Sequence, residues 1–440
     1  MVAGAIAPYR SPACVFCPSG VPSGAARPSD GEATGERMAS RIRFGIVGTG
    51  GIANAHAVGL AALPNDANIV AVADVDESRA HAFADRWGAE HAYGSARTML
   101  DAGGIDVICV CTPHPQHADP VILAAERGIH AVVEKPLTAS LADADRVLEA
   151  QAKYGTLLSS MSQRRWFPAA QRIRRAIDDG KLGSKVVMGE SYCEMWRDEA
   201  YYRRDAWRGR WDTEGGGVMM NQSPHNIDFL LWYAGPAVEV FGYWANVNHP
   251  YVEIEDNAAA VIRFKSGGLG IIKGTVSMNP PRRIHGVSIV GESGATTSLD
   301  CWEIPPERRG GVTGPSDVGS NDIWTIPGES GLSIDEALAQ GTLGLPNFHA
   351  HQLQDVVGAI REKRQPMVTG LDGYRVVAII QGIYESTRTG RPVAGSLASG
   401  TSDWSSAPAN HSNPGLSLRA QTEVSASSIC GCRGWTAWSC

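Results

Sequence analysis

The chain has 440 residues, 43% of them hydrophobic, and a formal net charge of −7. That length exceeds what one ordinary core supports and predicts two or three domains, while the negative balance argues against a nucleic-acid partner held by a basic face. No apolar run approaches the roughly 20 residues that span a bilayer, and Pro8 interrupts residues 2–7 before they form a secretory core, so a soluble cytoplasmic protein without membrane contact is expected.

Residues 1–40 are rich in Ala, Pro, Gly and Ser, follow no helical or strand period, and read as a disordered tail; Met38, just ahead of the first strand, offers a second natural beginning. The nine cysteines are irregularly placed. Cys109 and Cys111 fall in an apolar run that suits reduced, buried thiols, and the tail pairs Cys14/Cys17 and Cys430/Cys432 lack the ordered four-ligand frame a zinc site needs, so no metal is expected.

From residue 41 to about 163 the pattern alternates. Short apolar runs at 42–47, 69–73, 107–111, 131–133 and 157–161 predict strands, separated by helix-like segments at 77–87, 117–127 and 141–153. Alternation of this kind implies βαβ units and a parallel sheet whose ligands sit at the carboxyl ends of the strands. The first strand passes directly into Gly48-Thr49-Gly50-Gly51-Ile52-Ala53, a G-x-G-x-x-A turn. Gly48 suits the tight strand-to-helix turn, Gly50 lets the backbone approach a pyrophosphate, and Ala53 lets the helix lie close on the strand. Asp74 ends the second strand, 26 positions after Gly48, where an acid meets the adenosine ribose hydroxyls and repels a 2′-phosphate. Together these features predict dinucleotide binding, with NAD favoured over NADP. The same rim carries Thr112-Pro113 and Glu134-Lys135-Pro136.

A helix is expected at 169–179, after which the composition turns strand-rich: 186–195, 238–247, 258–264, 270–278 and 286–290, with turns such as Ser266-Gly267-Gly268 predicting an antiparallel sheet with one packed face. One helix, 221–233, interrupts it and stops at Gly235-Pro236. Residues 303–345 read as a long Gly- and Pro-rich loop, followed by helices at 349–363 and 373–389. Residues 396–440 read as a second disordered tail. The fold expected is α/β: a dinucleotide-binding domain over 41–163 and a substrate and oligomerisation domain over 164–395.

The middle of the chain, Thr112-Pro113-His114-Pro115-Gln116-His117 and then Glu134-Lys135-Pro136, resembles the Gfo/Idh/MocA family of nicotinamide-dependent oxidoreductases, in which a glycine turn, a T-P-x-x-x-H segment and an E-K-P tripeptide occur in this order. The resemblance continues through Gln163-Arg164-Arg165-Trp166-Phe167-Pro168, through Gly215-Gly216-Gly217 with His225-Asn226-Ile227-Asp228, and through Tyr384-Glu385-Ser386. It implies an N-terminal Rossmann-type parallel sheet, a C-terminal α+β domain on a mostly antiparallel open sheet, and a last helix that returns to the first domain. It also implies a homodimer or homotetramer formed through that open sheet. The cofactor-binding residues it implies are Gly48, Gly50, Gly51, Ile52, Asp74, Thr112, Pro113, His117, Glu134, Lys135 and Gln163.

Lys135, ending a buried strand beside a cleft, is partly desolvated, which favours the neutral amine and lets it take or hold a hydroxyl proton; His225, after the triple glycine, has the proton affinity for general acid/base work at neutral pH. Many members of the family carry an aspartate four positions before this histidine, and here Asn221 stands in that place, so proton handling leans on Lys135. The segment 196–211, WRDEAYYRRDAWRGRW, supplies aromatic faces and guanidinium groups that suit a sugar or polyol. Substrate contacts are therefore expected from Arg165, Trp207, Arg208, Asn221, His225 and Asp228, in an NAD-dependent dehydrogenase acting on a secondary hydroxyl of a sugar, cyclitol or related polyol. The alternatives are an enzyme that retains NAD and oxidises a sugar transiently during hydrolysis or elimination, and a non-catalytic nucleotide sensor of the same fold.

Overall fold

The computed structural model describes residues 40–279, 284–304 and 316–395. The expected disordered tails and the cysteines at 14, 17, 430 and 432 lie outside the described residues. No helix among the described residues is long and apolar enough to cross a membrane.

Six strands form the first sheet: β1 (Ile42–Val47), β2 (Ala67–Ala73), β3 (His91–Tyr93), β4 (Val107–Val110), β5 (His130–Val133) and β6 (Leu158–Ser160). All pair in parallel in the order β3-β2-β1-β4-β5-β6, the doubly wound arrangement of dinucleotide-binding sheets. Their register explains the rim. Val47 pairs with both Ala73 and Val110, Val110 with Val133, and Val133 with Ser160, so Gly48, Asp74, Cys111 and Glu134 all emerge at the same level. Strand β3 has no counterpart in the sequence reading, because three residues are too few to display a period.

One face of this sheet is packed by α1 (Ala53–Ala61), α2 (Glu77–Trp87) and α10 (Phe348–Glu362), through Phe44, Ile46, Val72, Leu353 and Val356 among others. A Cβ at Gly59 would lie 3.1 Å from the Ala350 backbone, so α1 and α10 cross almost in backbone contact. The other face buries Val70, Ile108, Val110 and Val133 beneath α3 (Ala96–Ala102), α4 (Ala118–Ala125) and α5 (Leu141–Tyr154), and this core runs without a break into the second half of the chain.

After α6 (Pro168–Asp178), the second sheet is built from β7 (Val186–Glu194), β8 (Ala237–Ala245), β9 (Asn257–Phe264), β10 (Leu269–Thr275), β11 (Ile284–Gly291), β12 (Thr296–Glu303), β13 (Asp317–Ser320) and β14 (Val393–Ala394). Its order is β13-β12-β11-β7-β10-β9-β8-β14, and every pair is antiparallel except β7 with β10. Burial alternates along β9: Ala258, Ala260, Ile262 and Phe264 face inward and Val261 and Arg263 outward, as one packed face requires. Helices α8 (Pro224–Ala234) and α11 (Gly370–Thr389) cover the inner face. Gly189 admits Leu230 of α8, and Gly242 exchanges hydrogen bonds with the Ser386 hydroxyl of α11.

The stretch 303–345 departs from the loop expected of it. It contains β13 and, after the short α7 (Glu199–Arg203) earlier in the chain, a further helix α9 (Ile334–Gln340) whose Ser333 and Glu336 form a reciprocal capping box. Strand β12 was also unread, since Thr, Ser and Asp at its alternate positions mask its apolar period. Helix α8 begins at Pro224, later than expected, because Val218–Gln222 forms a wider π-helical turn and proline is favoured as the first helical residue.

Helix α11 joins the two halves. Its Gly373 and Gly370 seat directly on Ser160 and Leu158 of β6. Arg165 adds a polar bolt here. Its guanidinium donates to both oxygens of Asp228 at 2.8 and 2.6 Å, lies 3.4 Å from Asp372 of α11, and stacks 5.0 Å from the Trp232 ring. Both Arg165 and Asp228 are almost wholly buried. Both were expected as substrate contacts; the structure pairs these two buried opposite charges with one another. Replacing one partner strands the other charge, so Arg165→Met is expected to cost about 3–5 kcal/mol in urea unfolding. The double replacement Arg165→Met with Asp228→Leu should cost less than the two single losses combined.

Candidate active site

The glycine turn is shaped by contacts on one side and open on the other. Gly48 adopts φ +84°, and a Cβ there would press on the Cys111 backbone and Thr112 at 3.0 Å. At Gly50 the nearest atom is Arg79 Nη2 at 3.8 Å, and Gly51 meets nothing within 4 Å. Helix α1 starts at Ala53 behind Ile52, which is 40% exposed and offers no side-chain cap; the Ala53 and Asn54 N–H groups turn back to the Gly50 and Gly51 carbonyls at 3.2 and 3.3 Å, with no side chain covering the end. Such an end accepts phosphate oxygens. Across the rim, the buried Gln163 Oε1 has no protein partner, as suits a residue reserved for a ligand amide or hydroxyl. These observations fit a dinucleotide.

Asp74 does more than end a strand. Its Oδ2 accepts from the Thr49 N–H and hydroxyl at 2.8 and 2.7 Å, and its Oδ1 from the Asp76 N–H at 3.0 Å, which ties the end of β2 to the glycine turn. Burial works against the charge, yet these donors, with Arg79 at 3.8 Å, hold the carboxyl below its usual range. A carboxylate has about four acceptor sites, so one remains for a ribose hydroxyl.

His117 and Glu134 are placed differently from expectation. The His117 nitrogens lie 2.9 Å from the Pro136 carbonyl and 2.8 Å from the Thr112 carbonyl, so this fully buried ring ties the Thr112-Pro113 turn to the Lys135-Pro136 turn. Thr112 donates back to the Gln116 carbonyl at 3.3 Å, and Pro113 opens the short turn His114–Gln116.

The Glu134 carboxylate points inward. Its Oε1 lies 2.9 Å from His56 Nε2 and 3.5 Å from His349 Nε2, while Oε2 accepts the Lys135 N–H at 3.2 Å. Burial opposes every charge here, but the two imidazoles keep Glu134 ionised well below the usual carboxylate range, and the Cys111 thiol and Glu134 raise His56 to about 10. Among the described residues these three are the group whose ligand atoms converge within 4.8 Å. His56 and Glu134 form a hydrogen-bonded ion pair, and His349 Nε2, 3.5 Å from the same oxygen, has no hydrogen-bond partner. His56 Nδ1 has behind it no carboxylate or carbonyl of the kind that orients a metal-bound imidazole.

Lys135, freed of its neighbour, crosses the cleft and donates to the Asn221 backbone carbonyl at 2.9 Å. Burial, with Arg164 and Arg208 nearby, outweighs the attraction of Glu134 and Glu214 and lowers its amine to about 8. His225 is buried, its Nδ1 has no hydrogen-bond partner, and burial followed by repulsion from Arg164 and Lys135 holds it well below its usual value, so it is neutral. Asn221 Nδ2 donates to Glu214 Oε1 at 2.5 Å and reaches the Tyr201 hydroxyl at 3.4 Å. The wall opposite is aromatic and cationic: Arg208 lies 4.3 Å over the Trp207 ring and 4.5 Å over the Tyr201 ring, and Trp207 meets the His114 ring edge-on at 5.5 Å.

Sequence reasoning missed the buried acids. Glu214 precedes the triple glycine directly, which is a usable signal; Glu255 lies in a polar stretch that reads as solvated surface. Yet Glu255 is fully buried and accepts from the N–H groups of Gly217 and Met219 at 2.7 and 3.0 Å and from the Tyr384 hydroxyl at 2.8 Å, so it shapes the turn that carries Asn221.

With that geometry in place, the comparisons agree on a class. Residues 42–161 match the Gfo/Idh/MocA oxidoreductase family, NAD-binding Rossmann fold, and residues 170–297 match its C-terminal domain. The chain belongs to this family and is an NAD(P)-dependent oxidoreductase acting on CH–OH groups. It is 26% identical to the scyllo-inositol 2-dehydrogenase (NAD+) of Bacillus subtilis over 81% of this chain and 97% of the relative. It is 29% identical to the myo-inositol 2-dehydrogenase of Thermotoga maritima over 58% of this chain and 74% of the relative. Among solved structures, the WlbA dehydrogenase of Bordetella pertussis, in complex with NADH and UDP-GlcNAcA, superposes with a TM-score of 0.68 at 28% identity, covering 81% of this chain and 99% of that one.

Burial pushes the Glu255 carboxyl up to about 7, against the hydrogen bonds it accepts. Because this lies above the unfolded value, the folded state holds the proton longer, and the group's contribution to stability falls as pH rises from about 4.5 to about 7, by on the order of 3 kcal/mol. In urea unfolding across that range, the stability of the parent protein relative to Glu255→Gln should therefore decline with rising pH; a constant difference would refute the assignment.

Proposed function

We propose that the protein oxidises a secondary hydroxyl of a sugar, cyclitol or related polyol and uses NAD in preference to NADP. The observation that carries this reading is Lys135: a half-buried lysine whose amine is lowered to about 8, at the carboxyl end of β5, held by the Asn221 carbonyl and facing a neutral His225. When bound, the nicotinamide supplies the hydride acceptor. Lys135 Nζ then binds the substrate hydroxyl and, as the neutral amine, takes its proton. The neutral His225 imidazole offers a second polar contact to the same hydroxyl without adding charge. Trp207 and Tyr201, with Arg208 laid over both rings, suit the apolar face and hydroxyl edge of a sugar ring. Asp74, with its remaining acceptor site at the end of β2, favours a ribose hydroxyl over a 2′-phosphate. Inositol dehydrogenases among the relatives, and a dehydrogenase solved with NADH and UDP-GlcNAcA, support a polyhydroxylated ring as substrate.

The test is net NADH formation with a panel of inositols, aldoses and uronates. Activity should rise about tenfold per pH unit below 8 and level off above it, as the amine loses its proton. Lys135→Met should lower kcat/KM by about 100-fold or more while NAD still binds. If NADH accumulates with none of these substrates, the nucleotide-sensor reading replaces this one; product formed without net NADH would favour the redox-assisted hydrolase or lyase.

We also propose a homodimer or homotetramer formed through the outer face of the second sheet. Val261, Leu269 and Tyr243 on β9, β10 and β8 are 56%, 50% and 61% exposed there, an apolar face of the kind that marks an interface. Sedimentation should find an even-numbered oligomer, and Val261→Glu should shift it to smaller species.

A further inference from the structure

Glu214 lies between α7 and the triple glycine, and its backbone and side chain hold different parts of the chain. Its carbonyl accepts from His114 Nδ1 at 2.9 Å, across a hundred residues of chain. Its carboxylate is buried, with Oε2 on the Gly209 N–H at 2.6 Å and Oε1 on the Asn221 amide at 2.5 Å. The nearest cation, Arg208 Nη1, is 4.0 Å away, while the same guanidinium bonds Asp205 at 2.8 Å and the Tyr201 hydroxyl at 2.6 Å. A buried carboxylate with no close ion partner is costly to keep. Asn221 is the side chain that grips it, and Asn221 is also the residue whose carbonyl receives the Lys135 amine.

We propose that Glu214 is a positioning residue for Lys135: through its hydrogen bond to the Asn221 amide it fixes the carbonyl that aims the amine, and its negative charge steadies the ammonium form. This rests on the reading of Lys135 as the group that meets the substrate hydroxyl. The groups facing Lys135 are Glu134, Arg164, Arg208 and Glu214, the neutral imidazoles of His114 and His225, and the Cys193 thiol. Glu214 and Glu134 favour the charged amine and the two arginines disfavour it, so removing the Glu214 charge should let Lys135 release its proton at lower pH.

The experiment uses the full chain and three variants: Glu214→Gln, Asn221→Asp, and both together, which exchange carboxylate and amide across one hydrogen bond. The Lys135 titration is read by competitive labelling with acetic anhydride from neutral to alkaline pH, quantified by mass spectrometry of the Lys135 peptide. Glu214→Gln should move that titration to lower pH and reduce kcat by roughly ten- to a hundredfold with a smaller change in KM. The double variant should return both toward the parent values. An unmoved titration in Glu214→Gln, or a double variant no better than the worse single one, overturns the proposal. Should Glu214→Gln fail to fold, the double variant decides alone: a folded protein with the parent titration supports the proposal, and a displaced titration or an unfolded chain defeats it. Because labelling needs no turnover, inactivity toward every polyol would sink the dehydrogenase reading and leave this test intact.

Discussion

The hydrogen bond from Lys135 to the Asn221 carbonyl is the contact on which the arrangement of this protein turns. It joins the end of a buried parallel strand to a turn 86 residues further on, and it holds only if both ends are fixed independently. On the strand side the fixing is by register: β5 pairs residue for residue with β4, and β4 with β1, so the tripeptide emerges level with the glycine turn. On the other side it is by buried acids. Glu255 grips the backbone of the turn and Glu214 grips the Asn221 side chain.

Three carboxylates, two facing the amine at 134 and 214 and one behind its supporting turn at 255, are thus buried, and each is handled differently. Glu134 is neutralised by imidazoles and kept ionised. Glu255 has three hydrogen bonds and no cation, and burial raises it. Glu214 stands between, hydrogen-bonded and within the weak reach of Arg208 and Lys135. Low local dielectric makes every such choice consequential, because an unpaired charge there is not screened by water. The same desolvation that makes the acids costly is what brings the lysine to a pKa useful near neutrality.

How much of this was legible in the sequence follows from what each feature depends on. The first sheet reads directly, since runs such as Val107–Val110 are apolar throughout and separated by amphipathic helices; α2 matches its predicted bounds at both ends. The glycine turn, Asp74 and Lys135 lie at strand ends and share a rim by that logic alone. What only packing reveals is of another kind. Arg165 and Asp228 look like ligand contacts because charged residues in motifs invite that reading, but only packing reveals that they face one another. His117 is a similar case, with a carbonyl at each nitrogen. Strand β13 and helix α9 were hidden in a Gly- and Pro-rich stretch, where tertiary contacts override weak local preference.

The triple glycine shows where this site can vary and where it cannot. A Cβ at Gly216 would lie 2.2 Å from the Tyr384 hydroxyl, and one at Gly217 only 1.9 Å from the Glu255 carbonyl, so the turn is pressed between α11 and the strand edge with no room for side chains. Nothing can be altered there without moving Asn221, and hence Lys135. The segment 196–211, irregular apart from the five-residue α7, is held by backbone as well as ring contacts: the Arg197 N–H donates to the Val276 carbonyl at 3.1 Å and the Gly209 N–H to Glu214 Oε2 at 2.6 Å, while Arg197 and Arg208 lie over the Tyr201 ring. The wall is not independent of the amine's support: the Tyr201 hydroxyl accepts from the Asn221 and Gln222 amides at 3.4 and 3.0 Å and Arg208 lies 4.0 Å from Glu214, whereas Trp207 meets His114 and Arg208 through its ring.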